Sequence, residues 1–170
     1  MAAGEALTRA GDVAQQVGFV VDGLIRKVHV SARGKSVVRG FGGPGSIVGA
    51  YASLLTQQPS YLCVEALRPT RLFVAEWSLV LELYERHPCW QVLGRKLAEH
   101  FLLEREERAH ELLTLGPSER YARFCATHRA LLPMLRGYDV ASYLGITPVS
   151  LSRLRARERR QRARRAASAP

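Results

Sequence analysis

The sequence predicts an α+β protein: a small antiparallel β-roll, one long helix, and a C-terminal pair of short helices meeting at a tight turn. Three observations carry this expectation. Residues 6–75 alternate apolar and polar side chains in short runs broken by glycine. Residues 89–115 run without proline, with apolar positions on helical spacing. Residues 138–157, YDVASYLGITPVSLSRLRAR, hold two helix starts on either side of one glycine.

In the roll, residues 17–21, 24–30, 36–41, 61–66 and 71–76 each read as a strand. Turns are expected at Asp22-Gly23, residues 32–35 and Arg68-Pro69, and both Asp22-Gly23 and Arg33-Gly34 are hairpin signals. Met1 leads almost directly into strand-like sequence, so the helix that usually opens such a roll is expected to be missing or short. Residues 40–49, GFGGPGSIVG, hold five glycines and a proline ahead of a short helix at 50–55. Glycines there would let backbone amides approach a phosphate or another anion, though the composition favours a tight corner.

A short helix is expected at 77–84, ended by His87-Pro88. The long helix carries Leu93, Leu97, Phe101 and Leu112 as candidate residues for packing on a second copy, and its charged middle, 104–111, marks a solvated side. Gly116-Pro117-Ser118 is a hinge and domain boundary, followed by an amphipathic helix over 118–132 with Tyr121, Phe124 and Leu131 on one face. The expected division is therefore a roll at 1–87, the long helix at 88–115, a helical unit at 116–158 and a basic, disordered tail at 159–170.

In the helical unit, Asp139 is placed as the cap of the first short helix and Gly145 as its end, in a positive-φ conformation. Thr147 caps the next, with Pro148 at its first position. Ala141 is small where the two helices cross, and Ile146, Leu151 and Leu154 supply their shared apolar face. This is the pattern of a helix-turn-helix. Its second helix presents Ser150, Arg153 and Arg157, flanked by Ser152 and Arg155, donors suited to guanine edges or phosphates.

Charge placement agrees with that reading. The formal net charge is +10, and residues 153–165, with eight arginines and Glu158 as their one acid, supply +7 of it. A nearly neutral body with one basic end points to a single polyanion-binding region. No apolar run reaches the roughly 18 residues of a bilayer span, and the first residues lack a signal peptide's basic and apolar blocks, so a cytoplasmic protein with no membrane partner is expected. Cys63, Cys89 and Cys125 are odd in number and far apart, which suits free thiols and not a metal cluster. His29, His87, His100, His110 and His128 are scattered and read as surface or packing residues. No nucleophile, base and orienting acid fall on a recognisable motif, so no catalytic residue, metal or cofactor is assigned and no enzyme is expected.

The order of these parts resembles the Crp/Fnr family of bacterial transcription regulators. The resemblance rests on VDGLIRKV, QPSYLCVEAL, GRKLAEHFL, LLTLGPSERY and, most specifically, VASYLGITPVSLSRLR. It implies a cyclic-nucleotide-binding-like roll, a long helix forming a two-fold homodimer, and recognition helices entering successive major grooves of double-stranded DNA, with RNA polymerase as a further partner. Thr147, Ser150 and Arg153 match family positions that meet bases or phosphates, whereas Pro148 and Val149 stand where arginine and glutamate are frequent.

The same resemblance places a possible effector pocket at Gly45, Gly49, Ala50, Ser60 and Tyr61. Members that bind cyclic nucleotides carry a ribose-binding glutamate and a phosphate-binding Arg-Ser pair where this chain has Ala50, Ser60 and Tyr61. A buried phosphate without that charge is costly, so cyclic AMP is not expected to bind in the usual way. The residues from Glu158 onward do not form the family's usual β-hairpin wing, and the basic tail is expected to take over its phosphate contacts. A competing reading is a ligand-sensing or protein-interaction module that binds DNA only nonspecifically.

Overall fold

The computed structural model describes residues 1–31, 34 and 36–167, with side chains described to residue 160. Most of the expected turn at 32–35 and the last three residues of the expected tail lie outside the described residues. The chain divides into two compact units, Met1–Ala109 and His110–Pro170.

The first unit is an antiparallel roll of two sheets. Strands β1 (Ala6–Thr8), β6 (Leu62–Ala66), β3 (Ile25–Val30) and β4 (Ser36–Gly42) form one sheet in the order β1-β6-β3-β4, and β5 (Ile47–Val48), β2 (Gln16–Asp22) and β7 (Arg71–Glu76) form the other in the order β5-β2-β7. Facing side chains of the two sheets, among them Val20, Ile25, Val48 and Val64, make the core and are at most 1% exposed. Burying each such side chain is worth about 1.5–3 kcal/mol.

Strands β3 and β4 do form a hairpin, since Val30 pairs with Ser36, although Arg33 of the expected signal lies outside the described residues. Asp22-Gly23 does not. Strands β2 and β3 lie in different sheets, and Gly23, at φ +99°, turns the chain from one to the other. A side chain there would collide with Thr70, whose hydroxyl accepts the Leu24 N–H at 3.0 Å. The glycine does mark a turn, but the long-range pairing that decides its meaning is not written in the dipeptide.

Residues 43–46 make a tight corner, with Gly45 at φ +85° and its N–H donating to the Val20 carbonyl at 2.9 Å. Helix α1 (Tyr51–Thr56) follows, and after β7 the chain enters α2 (Trp77–Arg86) and α3 (Pro88–Thr114). None of the 27 residues of α3 is buried. No helix among the described residues is long and apolar enough to cross a membrane.

The second unit contains α4 (Pro117–Thr127), a 3₁₀ turn at Leu132–Met134, α5 (Gly137–Leu144) and α6 (Pro148–Ala167). Helix α4 stops five residues before the expected end at 132. Pro133 lacks an N–H and its ring would clash with the carbonyl four residues back, so the chain tightens into a 3₁₀ turn. Helix α6, conversely, continues through residues 159–167, where a disordered tail is expected from the sequence. Arginine and alanine are strong helix formers, and a polar helix needs no apolar face to continue from one already nucleated.

Candidate nucleic-acid interface and effector cavity

The helix-turn-helix is α5, a turn at Gly145–Ile146–Thr147, and α6. Gly145 sits at φ +69°, where a Cβ would be strained, and its N–H and that of Ile146 close the end of α5, the latter donating to the Ala141 carbonyl at 3.0 Å. The Ser150 N–H donates to Thr147 Oγ1 at 3.1 Å, which makes Thr147 the side-chain cap of α6. Val140, Ala141, Leu144 and Leu151 are at most 2% exposed and lock the two helices together, while Tyr121 and Phe124 of α4 are buried within the same unit.

Asp139 is not the cap of α5. The helix begins at Gly137, with Arg136 as a cap that makes no side-chain hydrogen bond, and Asp139 lies fully buried in the first turn. A carboxylate there faces the positive end of the helix dipole, so the residue type is informative although the helix starts two residues before it.

Thr147, Ser150, Ser152, Arg153 and Arg157 are exposed. At 100° per residue, Ser150, Arg153 and Arg157 share one side of α6, and half-exposed Arg155 falls on the opposite side, one turn beyond buried Leu151. Its guanidinium lies near the Tyr121 phenol and beside Gly137. Burial pushes the Tyr121 phenol above its usual pKa, with Arg155 pulling the other way. Arg155, expected to flank the row of donors, is thus set apart from Ser150, Arg153 and Arg157 on the other side of α6. The four-residue spacing from Leu151 is the signal that separates it from them.

The expected effector residues have different surroundings. Ala50 is 1% exposed and part of the roll's core. The Ser60 hydroxyl is held by the Leu62 backbone, donating to its carbonyl at 2.9 Å and accepting its N–H at 3.0 Å. Tyr61 is exposed and meets the edge of His29.

A cavity of about 300 Å³ lies instead between β3, β4, the corner at 45–48 and α3, all within the first unit. Its roll side includes Lys27, Phe41, Gly45 and Val48, and its helix side Leu97, His100, Phe101 and Glu104. Of the expected pocket residues only Gly45 lines it. Leu97 and Phe101, candidates for packing on a second copy of α3, both line this cavity, and Phe101 also meets Tyr51 at 5.7 Å between ring centroids. Leu93 and Leu112 remain exposed, together with Val92, Leu102, Leu103 and Leu113, which the same exposure makes candidates. The three cysteines are free thiols, and no group of metal-ligating side chains is found among the described residues.

A two-sheet roll followed by a long helix and a capped helix-turn-helix is the order of parts expected of the Crp/Fnr family. A family model described as the cyclic nucleotide-binding domain matches residues 1–87, and the chain belongs to that family, in its Crp/Fnr branch. The anaerobic regulatory protein of Haemophilus influenzae is 28% identical over 162 residues, covering 88% of this chain and 62% of its own length. The protein of the same description from Pasteurella multocida is 25% identical over 162 residues, with 88% and 58% covered. The chain thus spans about 60% of the length of these curated relatives.

Among solved structures, FixK2 from Bradyrhizobium japonicum superposes with a TM-score of 0.82 at 21% identity, covering 94% of this chain and 82% of that one. The Catabolite Activator Protein of Thermus thermophilus gives 0.56 at 22% identity, with 95% and 77% covered. At these identities the structural likeness establishes the fold.

Proposed function

We propose that this chain is a homodimeric, sequence-specific DNA-binding transcription regulator acting in the cytoplasm. The observation that carries the reading is the outer side of α6, where Ser150, Arg153 and Arg157 form an exposed row on a helix whose other side is fixed by Leu151 and Thr147. A rigid helix presenting donors along one side suits the major groove. Dimerisation is supported by α3, a 27-residue helix with no buried residue and with Val92, Leu102, Leu103 and Leu113 exposed. A two-fold dimer would read an inverted repeat. Cyclic AMP is not the effector in the usual mode, because Ala50, Ser60 and Tyr61 bring neither a ribose acceptor nor a phosphate-neutralising cation to the loop.

The experiment is selection of bound DNA from a random pool with purified protein at near-physiological salt. Enrichment of one inverted repeat is expected. Enrichment of nothing, with binding that vanishes as salt rises, would replace this reading with the nonspecific one.

The arginines beyond Glu158 are proposed to hold phosphates. Ending the chain after Glu158 should lower the slope of log affinity against log salt by roughly 0.9 for each phosphate that is no longer neutralised. An unchanged slope would remove them from the interface.

A further inference from the structure

We propose that Val149 reads the 5-methyl group of a thymine in each half-site, and so sets a base preference that Arg153 does not. The inference rests on reading α6 as a recognition helix, and names one base that this helix selects.

Val149 is the one large apolar side chain of α6 that stands exposed among the described residues, at 61%. An exposed valine is ordinary in itself, but its placement here is not. At 100° per residue it falls about 160° from buried Leu151, and Arg153, one turn on, falls about 160° from Leu151 in the opposite sense. The two side chains thus flank the line of α6 that points farthest from the core of the unit. A valine there serves the fold poorly. β-Branched residues are weaker helix formers than alanine, and a side chain left this exposed gains little from burial.

What the valine does supply is a rigid apolar surface. In a helix its χ1 holds one rotamer about nine times in ten. The turn beneath it is fixed by the cap, with the Ser150 N–H donating to Thr147 Oγ1 at 3.1 Å and that oxygen 2.9 Å from Ser150 Oγ. Its methyl groups therefore lose little freedom on contact. In the major groove the base edges present hydrogen-bonding groups and one apolar group, the thymine methyl. Valine neither donates nor accepts a hydrogen bond, so against a guanine, adenine or cytosine edge it would strip water from a polar group and return no partner. Thymine alone meets it with an apolar surface.

The helix rise places that thymine. Val149 and Arg153 are one turn apart, about 6 Å along α6, and base pairs stack about 3.4 Å apart, so the thymine lies within about two base pairs of the pair met by Arg153.

The test takes the inverted repeat enriched by the full chain and replaces each thymine in turn, in both half-sites, by deoxyuridine, which lacks only the methyl. At one position the affinity of the wild-type chain should fall roughly fourfold for each half-site. Val149→Ala should bind the unmodified repeat more weakly by a similar factor, keep the wild-type salt slope, and be indifferent to deoxyuridine at that position. Circular dichroism and the thermal midpoint check that the variant folds. A scan with no sensitive thymine, or a Val149→Ala variant as sensitive as wild type, would overturn the proposal and leave the regulator reading intact. Enrichment of no repeat would overturn both.

Discussion

Replacing Leu102 and Leu103 together by glutamate is expected to leave a folded monomer and to weaken binding to the selected inverted repeat by about three orders of magnitude or more. The two leucines are 59% and 62% exposed in the single chain, so charge there costs the isolated fold little. Adjacent on α3, they straddle the helix side away from Leu97 and Phe101, which line the cavity. In a two-fold helix pair each substitution occurs twice, so four carboxylates would be brought into one seam. Desolvating each unpaired carboxylate costs several kcal/mol, so the four together outweigh what the leucines they replace supply. A monomer keeps one half-site and forgoes the free energy of the second. Sedimentation would read the assembly state and a binding titration the affinity. A variant that still sediments as a dimer would move the interface to another side of α3, and a monomer that binds the repeat as tightly as wild type would remove dimerisation from recognition altogether.

The features legible in the sequence are those decided within a few residues. Gly145, Thr147 and Pro148 act on their own neighbours, and the buried Ala141, Leu144 and Leu151 recur at helical spacing, so the helix-turn-helix can be read from one short stretch. Asp139 shows the limit of that reading. A capping residue type signals a helix start but does not fix it, and Gly137 enters the helix although glycine is a poor former. At Asp22-Gly23 the local signal is a turn, and only the partners of β2 and β3 in different sheets decide that it is no hairpin.

The cavity lies further from reach. Lys27, Phe41, Phe101 and Glu104 come from two strands and a helix, and no spacing connects them. Lys27 in particular looks, in the sequence, like one half of an ordinary Arg-Lys pair on an exposed strand. Its neighbour across the sheet is Gly40, thirteen positions away in sequence.

Arg153→Ala should lower affinity for the selected site by about 1–3 kcal/mol, roughly 5- to 150-fold, and relax base preference at one position in each half-site. Arg155→Gln should do neither. The contrast follows from the two sides of α6. Arg153 is exposed in line with Ser150 and Arg157, so its guanidinium is available to a base edge without rearrangement. Arg155 lies near the buried Tyr121 phenol and beside Gly137, so its removal opens the packing there and should lower the thermal midpoint. The slope of log affinity against log salt separates a weakened grip on DNA from a loosened fold. A phosphate contact by Arg153 would account for about 0.9 of that slope, a base contact would show chiefly in the relaxed sequence preference, and Arg155→Gln should leave the slope where it was. If Arg155→Gln reduced the slope while Arg153→Ala changed neither slope nor preference, the groove-facing side of α6 would have to be reassigned by about half a turn, and the capped, packed geometry around Leu151 would no longer account for recognition.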